Sequence, residues 1–252
     1  MNDLEWLHIV AHIPPAKSGG RPREQEMREV VNAMFYVLRS GCAWRMLPKD
    51  YPCWQTVYTY FSNWRKNGTI EELHHVLRDQ VRAKAGKENE PTAGIIDSQS
   101  VKTVEQVGIS GYDAGKKIKG RKRHFLVDTL GLLLAVVVHS AKLQDRDGVK
   151  LLLFKIRHTF PKLKIVWADG GYAGKLEDWV KRFFNWTLDI VRKREDAKGF
   201  ELLPKRWIVE RTFAWIGRYR RLSKDYECSV KTSEAMIYLA MIRLMLKRLE
   251  FT

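Results

Sequence analysis

The 252 residues suit one large domain or a small domain beside a medium one, and 45% hydrophobic residues with 9 Trp can fill a core, which excludes wholesale disorder. Lys+Arg total 45 against 29 Asp+Glu, a formal net charge of +16 that favours polyanionic partners, because each neutralised phosphate releases condensed counterions. Three scattered cysteines (Cys42, Cys53, Cys228) without a CxxC pair exclude a disulfide framework and a zinc site, and with no signal segment and no apolar run beyond 132–138 a cytoplasmic protein is expected.

Residues 4–85 have helical periodicity. Met27, Val30, Met34, Phe35 and Leu38 fall on one face, as do Trp54, Val57, Tyr58, Phe61 and Trp64. Ile70, Leu73, Leu77 and Val81 mark a further helix after the Gly68-Thr69 stop-and-cap signal. The turn-forming stretch 47–52 precedes the helix at Trp54, so a helix-turn-helix is a candidate. That helix turns Gln55, Thr56, Thr59, Asn63 and Lys66 away from the core, types that suit base edges and phosphates and equally an ordinary solvated face.

The polar, breaker-rich stretch 86–91 reads as a linker, which places a helical domain at 1–88 and a second domain at 89–252. Residues 93–96 form a short apolar strand ending in Asp97. Strand-like runs at 124–129 and 132–138 flank Leu130-Gly131, a hairpin connection. A helix face over 149–160, a strand at 164–168, a helix face over 176–184 and a strand at 187–191 follow. Two helices finish the chain, one around Glu210 and one over 233–249. Strands first as a meander and then alternating with helices predict an α/β domain with a mixed sheet and helices on both faces.

Three acids stand where such a sheet could bring them together: Asp97 and Asp169 at strand ends, and Glu210 on a helix. Hard Mg²⁺ prefers carboxylate oxygens, and in-line phosphodiester displacement needs one ion on the attacking and one on the leaving oxygen. Each acid also has a structural alternative: Asp97 as a strand-end turn former, Asp169 as a hairpin residue before Gly170-Gly171, and Glu210 as an i−4 partner of Arg206. Asp145 and Asp147 read as first-turn helix charge. His74-His75, being adjacent, cannot clasp one metal from one helix face and read as surface or partly buried. Residues 111–117 (GYDAGKK) lack the spacing of a phosphate loop, so no nucleotide cofactor is expected.

Asp97-Ser98-Gln99-Ser100-Val101-Lys102, residues 111–123 (GYDAGKKIKGRKR), 127–138 (VDTLGLLLAVVV), 144–148 (QDRDG), 167–174 (WADGGYAG) and 209–227 (VERTFAWIGRYRRLSKDYE) resemble insertion-sequence transposases of the IS-five group, within the IS-four-like superfamily of DDE enzymes. Gly20-Arg21-Pro22-Arg23, 42–48 (CAWRMLP) and 54–58 (WQTVY) resemble that group's helical domain.

The resemblance implies an RNase H-like catalytic fold behind a small helical DNA-binding domain. It implies Asp97, Asp169 and Glu210 as ligands of Mg²⁺, with Mn²⁺ substituting. Nicking at element ends and attack of the freed 3′-OH on target DNA would follow, in a homodimer or larger assembly on double-stranded DNA, near the bacterial nucleoid and with no membrane role. A superfamily Tyr-Arg-Glu-Lys signature surrounds the glutamate; Arg206 holds its Arg place, but Leu203 stands at the Tyr position and Gly217 at the Lys position. Arg218, Arg220, Arg221 or Lys224 could supply the missing cation. The short interval from Asp169 to Glu210 leaves no room for the large inserted domain of some relatives. The run Lys116, Lys117, Lys119, Arg121, Lys122 and Arg123 reads as a contact to the DNA backbone or as a solvated loop. A catalytically silent DNA-binding regulator and a nuclease on the same fold are the alternatives.

Overall fold

The computed structural model describes residues 1–16, 19, 22–104, 108–192 and 205–250, so Gly20, Arg21 and Leu203 lie outside it. By compactness the chain divides into a helical unit (Met1–Lys87, Ile216–Ser223, Ala235–Thr252) and a sheet unit (Glu88–Trp215, Lys224–Glu234).

The helical unit contains α1 (Asp3–Leu7), α2 (Met27–Ser40), α3 (Trp54–Lys66), α4 (Thr69–Lys84) and most of the last helix, α8 (Val230–Glu250). Met27, Val30, Met34 and Leu38 of α2, Val57, Phe61 and Trp64 of α3, and Ile70, Leu73, Leu77 and Val81 of α4 are all buried, as the i, i+3, i+4 pattern requires. The linear boundary near 88 therefore needs correction for two later segments, Ile216–Ser223 and the latter part of α8. From Ala235 onward α8 belongs with the N-terminal helices, because it is apolar around most of its circumference and is buried from Ala235 to Ile242. His74 is likewise fully buried rather than superficial, its ring edge-on to Tyr238 of α8 at 5.0 Å. Burial lowers its pKa well below the usual imidazole value, so it is a neutral core residue.

The sheet unit holds β1 (Ala93–Lys102), β2 (Gly111–Asp113), β3 (Ile118–Val127), β4 (Leu133–Ser140), α5 (Asp145–Ile156), β5 (Ile165–Ala168), α6 (Lys175–Phe184), β6 (Thr187–Ile190) and α7 (Trp207–Gly217) up to Trp215. The order is β2-β3-β1-β5-β6 with β4 on β3: β2, β3, β4 and β1 pair antiparallel, whereas β5 joins β1, and β6 joins β5, in parallel. Ile96, Leu126 and Ala135 face a core built with Val149, Leu152, Leu153 and Ile156 of α5 and Leu176 and Val180 of α6. On the other face Phe125 of β3 packs on Phe213 of α7 at 4.9 Å.

The β3–β4 turn fixes α7. Asp128 Oδ1 accepts the backbone N–H of Leu130 (2.9 Å) and Leu132 (2.8 Å). Thr212 of α7 then donates to the Gly131 carbonyl at 2.8 Å and Arg211 to the Leu130 carbonyl at 3.1 Å. Gly131 has φ +79, and a Cβ there would meet Thr212 Oγ1 at 2.9 Å, so both the turn and the helix contact require glycine.

The basic run does not precede the second long strand; its second half is that strand. Arg121, Lys122 and Arg123 lie in β3 and are buried. Arg121 is the anchor of segment 224–234: it donates to the carbonyls of Ile109 (2.8 Å), Glu227 (2.7 Å) and Cys228 (2.9 Å), to Asp225 (3.1 Å) and to Ser233 (3.2 Å). Lys122 bonds the Leu143 carbonyl and pairs with Asp145 (2.9 Å) and Asp113 (3.3 Å). Arg123 donates to the Lys224 carbonyl at 3.0 Å, and burial lowers its pKa to about 10. These three expected DNA contacts are corrected to structural cations, because a strand between two others turns its side chains into the packing on either face. Removing Arg121 strands Asp225 in the interior. Arg121→Ala should cost at least ~3 kcal/mol in denaturant unfolding, while the folded variant keeps the wild-type salt slope of DNA binding. A stable variant with a shallower slope would reinstate it as a phosphate contact.

Candidate active site

Parallel pairing of β1 with β5 aligns Ile95 with Trp167, two residues before Asp97 and Asp169 respectively. β5 ends at Ala168, and Asp169 caps the following turn by accepting the Gly171 N–H at 2.8 Å. β1 continues past β5, so Asp97 has a strand, β3, along one edge only. Within that pair Asp97 stands opposite Phe125, and directly opposed residues share a face. Asp97 is therefore on the face that α7 covers.

The electrostatics of Asp97 are those of a charge in an unfavourable place. Burial pushes its carboxyl up to about 6, and Asp169 adds repulsion; the Ser98 N–H at 2.6 Å and the cations Lys116 and Arg206 act in the opposite direction. Glu210 lies in the first turn of α7, half exposed, and pairs with Arg206 at 3.2 Å. Among the described residues no three His, Cys, Asp or Glu side chains converge closely enough to hold one ion. The expected cage of three carboxylates is thus not closed. Asp97 and Asp169 are neighbours, Arg206 acts on Asp97, and Glu210 takes the i−4 guanidinium within its reach.

Two carboxylates beside each other, one held back from ionising, fit a divalent cation: hard oxygen donors are what Mg²⁺ takes, and its charge would relieve both the repulsion and the desolvation. Asp97 and Asp169 would hold it, and Glu210 could join on leaving Arg206.

Beneath Asp97 a polar network fills the opposite face of β1. Ser98 donates to Asp145 at 2.9 Å, and Lys116 Nζ donates to the Ser98 carbonyl (2.9 Å) and hydroxyl (3.2 Å). Ser100 donates to Asp113 at 2.6 Å, and although burial opposes its charge, bonds from Ser100, the Lys116 backbone and Lys122 bring Asp113 down to about 2. His124 and His139 share a hydrogen bond of 2.8 Å, and burial lowers both imidazole pKa values. Gly148 lets α5 close over this pair, since a Cβ there would meet His139 Nε2 at 2.4 Å. Tyr172, buried, is edge-on to His124 at 6.2 Å, and burial and the Asp97 and Asp145 charges raise its phenol. Asp145 is thus more than first-turn charge, whereas Asp147 only pairs with Lys150 at 3.0 Å. The readable signal for this network was the alternation of Ser98 and Ser100 against Lys122 and His124; it shows only when the β1–β3 register is known.

The remaining candidates are dispersed. Lys117, at φ 53, and Lys119 are exposed. Arg218, Arg220 and Arg221 belong to the helical unit and Lys224 to the sheet unit. Arg221 donates to the Cys42 carbonyl at 3.0 Å. Gln55, Thr56, Thr59 and Asn63 do share one face of α3, but that face is not bare: with Pro14–Ala16 and Pro22–Gln25 it lines a groove of about 750 Å³.

Residues 88–245, more than half of the chain, match the family described as Transposase DDE domain. The chain belongs to the DDE transposases. Its first 74 residues match the family described as putative transposase of the IS4/5 family, and the sheet of this DDE transposase, β4-β3-β1-β5-β6 with its helices, is RNase H-like. It is 30% identical over 115 residues (43% of the chain) to a putative transposase for insertion sequence element IS402 of Burkholderia cepacia, of which the match spans 54%, about half its length. An uncharacterised 16.2 kDa protein of the same element is 25% identical over 41% of the chain and 74% of its own length. The crystal structure of a Mos1 mariner paired end complex with Mn aligns over 97% of the chain and 84% of its own, at 13% identity and a TM-score of 0.33. No described helix is long and apolar enough to cross a membrane.

The raised pKa of Asp97 has a signed consequence. Its carboxyl ionises near 3.8 when unfolded and near 6 when folded, so the metal-free protein loses stability as pH rises from about 4 to 6, and no further above that. Asp97→Asn should therefore be more stable than wild type by roughly 2 kcal/mol at pH 7 and equal to it below pH 4. Mg²⁺ should raise the wild-type Tm and leave that of Asp97→Asn unmoved. Parallel pH profiles for the two proteins would remove the buried-carboxylate account.

Proposed function

We propose that this DDE transposase binds the terminal inverted repeats of an insertion sequence, nicks the element ends and joins the freed 3′-OH to target DNA. The observation that carries the reading is the pair Asp97 and Asp169, the first within β1 just past its pairing with β5 and the second just after β5 ends, with Asp97 disfavoured as a bare anion. Bound divalent ions, Mg²⁺ with Mn²⁺ as a substitute, would activate the attacking oxygen and neutralise the leaving one. Asp97 and Asp169 would hold them, and Glu210 completes the set once it exchanges Arg206 for the ions. Arg206, released, is then a cation beside the acids for a phosphate oxygen.

In the first step a water oxygen bonds to phosphorus and the P–O3′ bond breaks, leaving a 3′-OH and a 5′-phosphate. In the second the 3′-oxygen bonds to a target phosphorus and displaces a target 3′-oxygen. The helical unit, with Gln55, Thr56, Thr59 and Asn63 on α3, is the proposed reader of the repeats, and two copies of the chain would hold the two ends.

The test is cleavage and strand joining on a labelled duplex carrying the element's end, with Mg²⁺ or Mn²⁺. Wild type should produce joined product, and Asp97→Ala, Asp169→Ala and Glu210→Ala should each lose at least ~10³-fold while retaining DNA binding. Cleavage unaffected by Glu210→Ala would leave a two-acid site. Binding without cleavage by wild type with either ion would instead favour a silent regulator derived from a transposase.

A further inference from the structure

Of the six cations in the basic run, three are consumed inside the sheet unit and three, Lys116, Lys117 and Lys119, are exposed. Lys116 differs from the other two exposed lysines in what its ammonium bonds. It ends a tight turn in which Asp113 Oδ1 accepts its backbone N–H at 3.1 Å, and Lys117 follows with φ 53. Its ammonium reaches β1 and donates to the Ser98 carbonyl at 2.9 Å and the Ser98 hydroxyl at 3.2 Å. An ammonium has three N–H donors, so two fix its position and one remains for a ligand. Ser98 is the residue that follows Asp97 on β1.

A lysine on an exposed loop is ordinarily a mobile charge; two anchors on the strand that carries Asp97 make this one a fixed point. The family signature's lysine position is occupied by Gly217, which has no side chain. The geometry points to Lys116 as the phosphate-holding cation of the active site, supplying from the β2–β3 turn what the signature lysine supplies in relatives. Its ligand is a non-bridging oxygen of the scissile phosphate or an immediate neighbour. This assignment rests on the proposed DNA-cleaving function. The anchored ammonium would set the distance of the phosphodiester from Asp97 and Asp169, whereas Lys117 and Lys119 could contribute only unlocalised attraction.

The experiment is a cycle between side chain and phosphate. Wild type, Lys116→Met and Lys116→Arg are compared in single-turnover cleavage, on a native duplex and on duplexes with one neutral methylphosphonate at each phosphate flanking the cut. Lys116→Met should cleave the native duplex about 10²-fold more slowly and lower the slope of log affinity against log salt by about 0.9. Its penalty should vanish on the one duplex whose contacted phosphate is already neutral, and Lys116→Arg should recover part of the rate. An equal penalty on every duplex with an unaltered salt slope would overturn the assignment and make Lys116 a prop for Ser98. If wild type fails to cleave, the function itself falls; if wild type cleaves and the cycle shows no coupling, only the role of Lys116 does.

Discussion

Asp97 is a buried carboxylate within β1, just past the point where β5 stops, and burial more than the nearby Asp169 disfavours its charge. Asp97 cannot move away, because β1 is paired to β3 over eight residue pairs from Ile95 to Lys102 and buried on both sides of the acid. Asp169 is held by its own turn. The protein offsets the strain with cations from two directions, Lys116 from the β2–β3 turn and Arg206 from the start of α7, and still leaves Asp97 with a carboxyl near 6. A site that disfavours a bare anion and presents oxygen donors suits the chemistry of a divalent ion.

The same sheet explains why so much positive charge is not available to DNA. Arg121 and Arg123 enter the packing and tie segment 224–234 to β3 through backbone carbonyls; Lys122 serves Asp113 and Asp145 on the opposite face. Alternation along a strand sends neighbouring residues to opposite faces, so an unbroken basic run on a covered strand cannot form one surface. Of the run, the cations left exposed are Lys116 and Lys117 of the turn and Lys119 at the start of β3.

Much of this was legible from residue order. The helical faces of α2 to α4, the meander followed by alternating strands and helices, and Asp169 after its strand follow from periodicity and from turn residues such as Gly131 and Gly170-Gly171; Asp97, read as the end of a strand at 93–96, lies instead inside β1, which runs on to Lys102. The functional reading needed more, because neither Asp97 nor Asp169 taken singly is distinctive; the long motifs around them supplied the family. Asp145, Ser98, Lys116 and the His124–His139 pair carried no sequence signal strong enough to single them out as a network, since each is joined to the others only across strands.

The sequence by itself determined most of the elements, though not β2 or the full lengths of β1 and β3, together with the family and the candidate acids, because local periodicity, turn chemistry and motif order are properties of neighbours along the chain. Only the tertiary structure decided which charges are structural and which face the site. It turned Arg121, Lys122 and Arg123 inward, paired Glu210 with Arg206, placed the latter part of α8 with the N-terminal helices, and anchored Lys116 on Ser98. Burial and electrostatic partnership depend on strand register and on the approach of residues distant in the chain. A charge count or a local pattern is the same whether a lysine meets a phosphate or an aspartate.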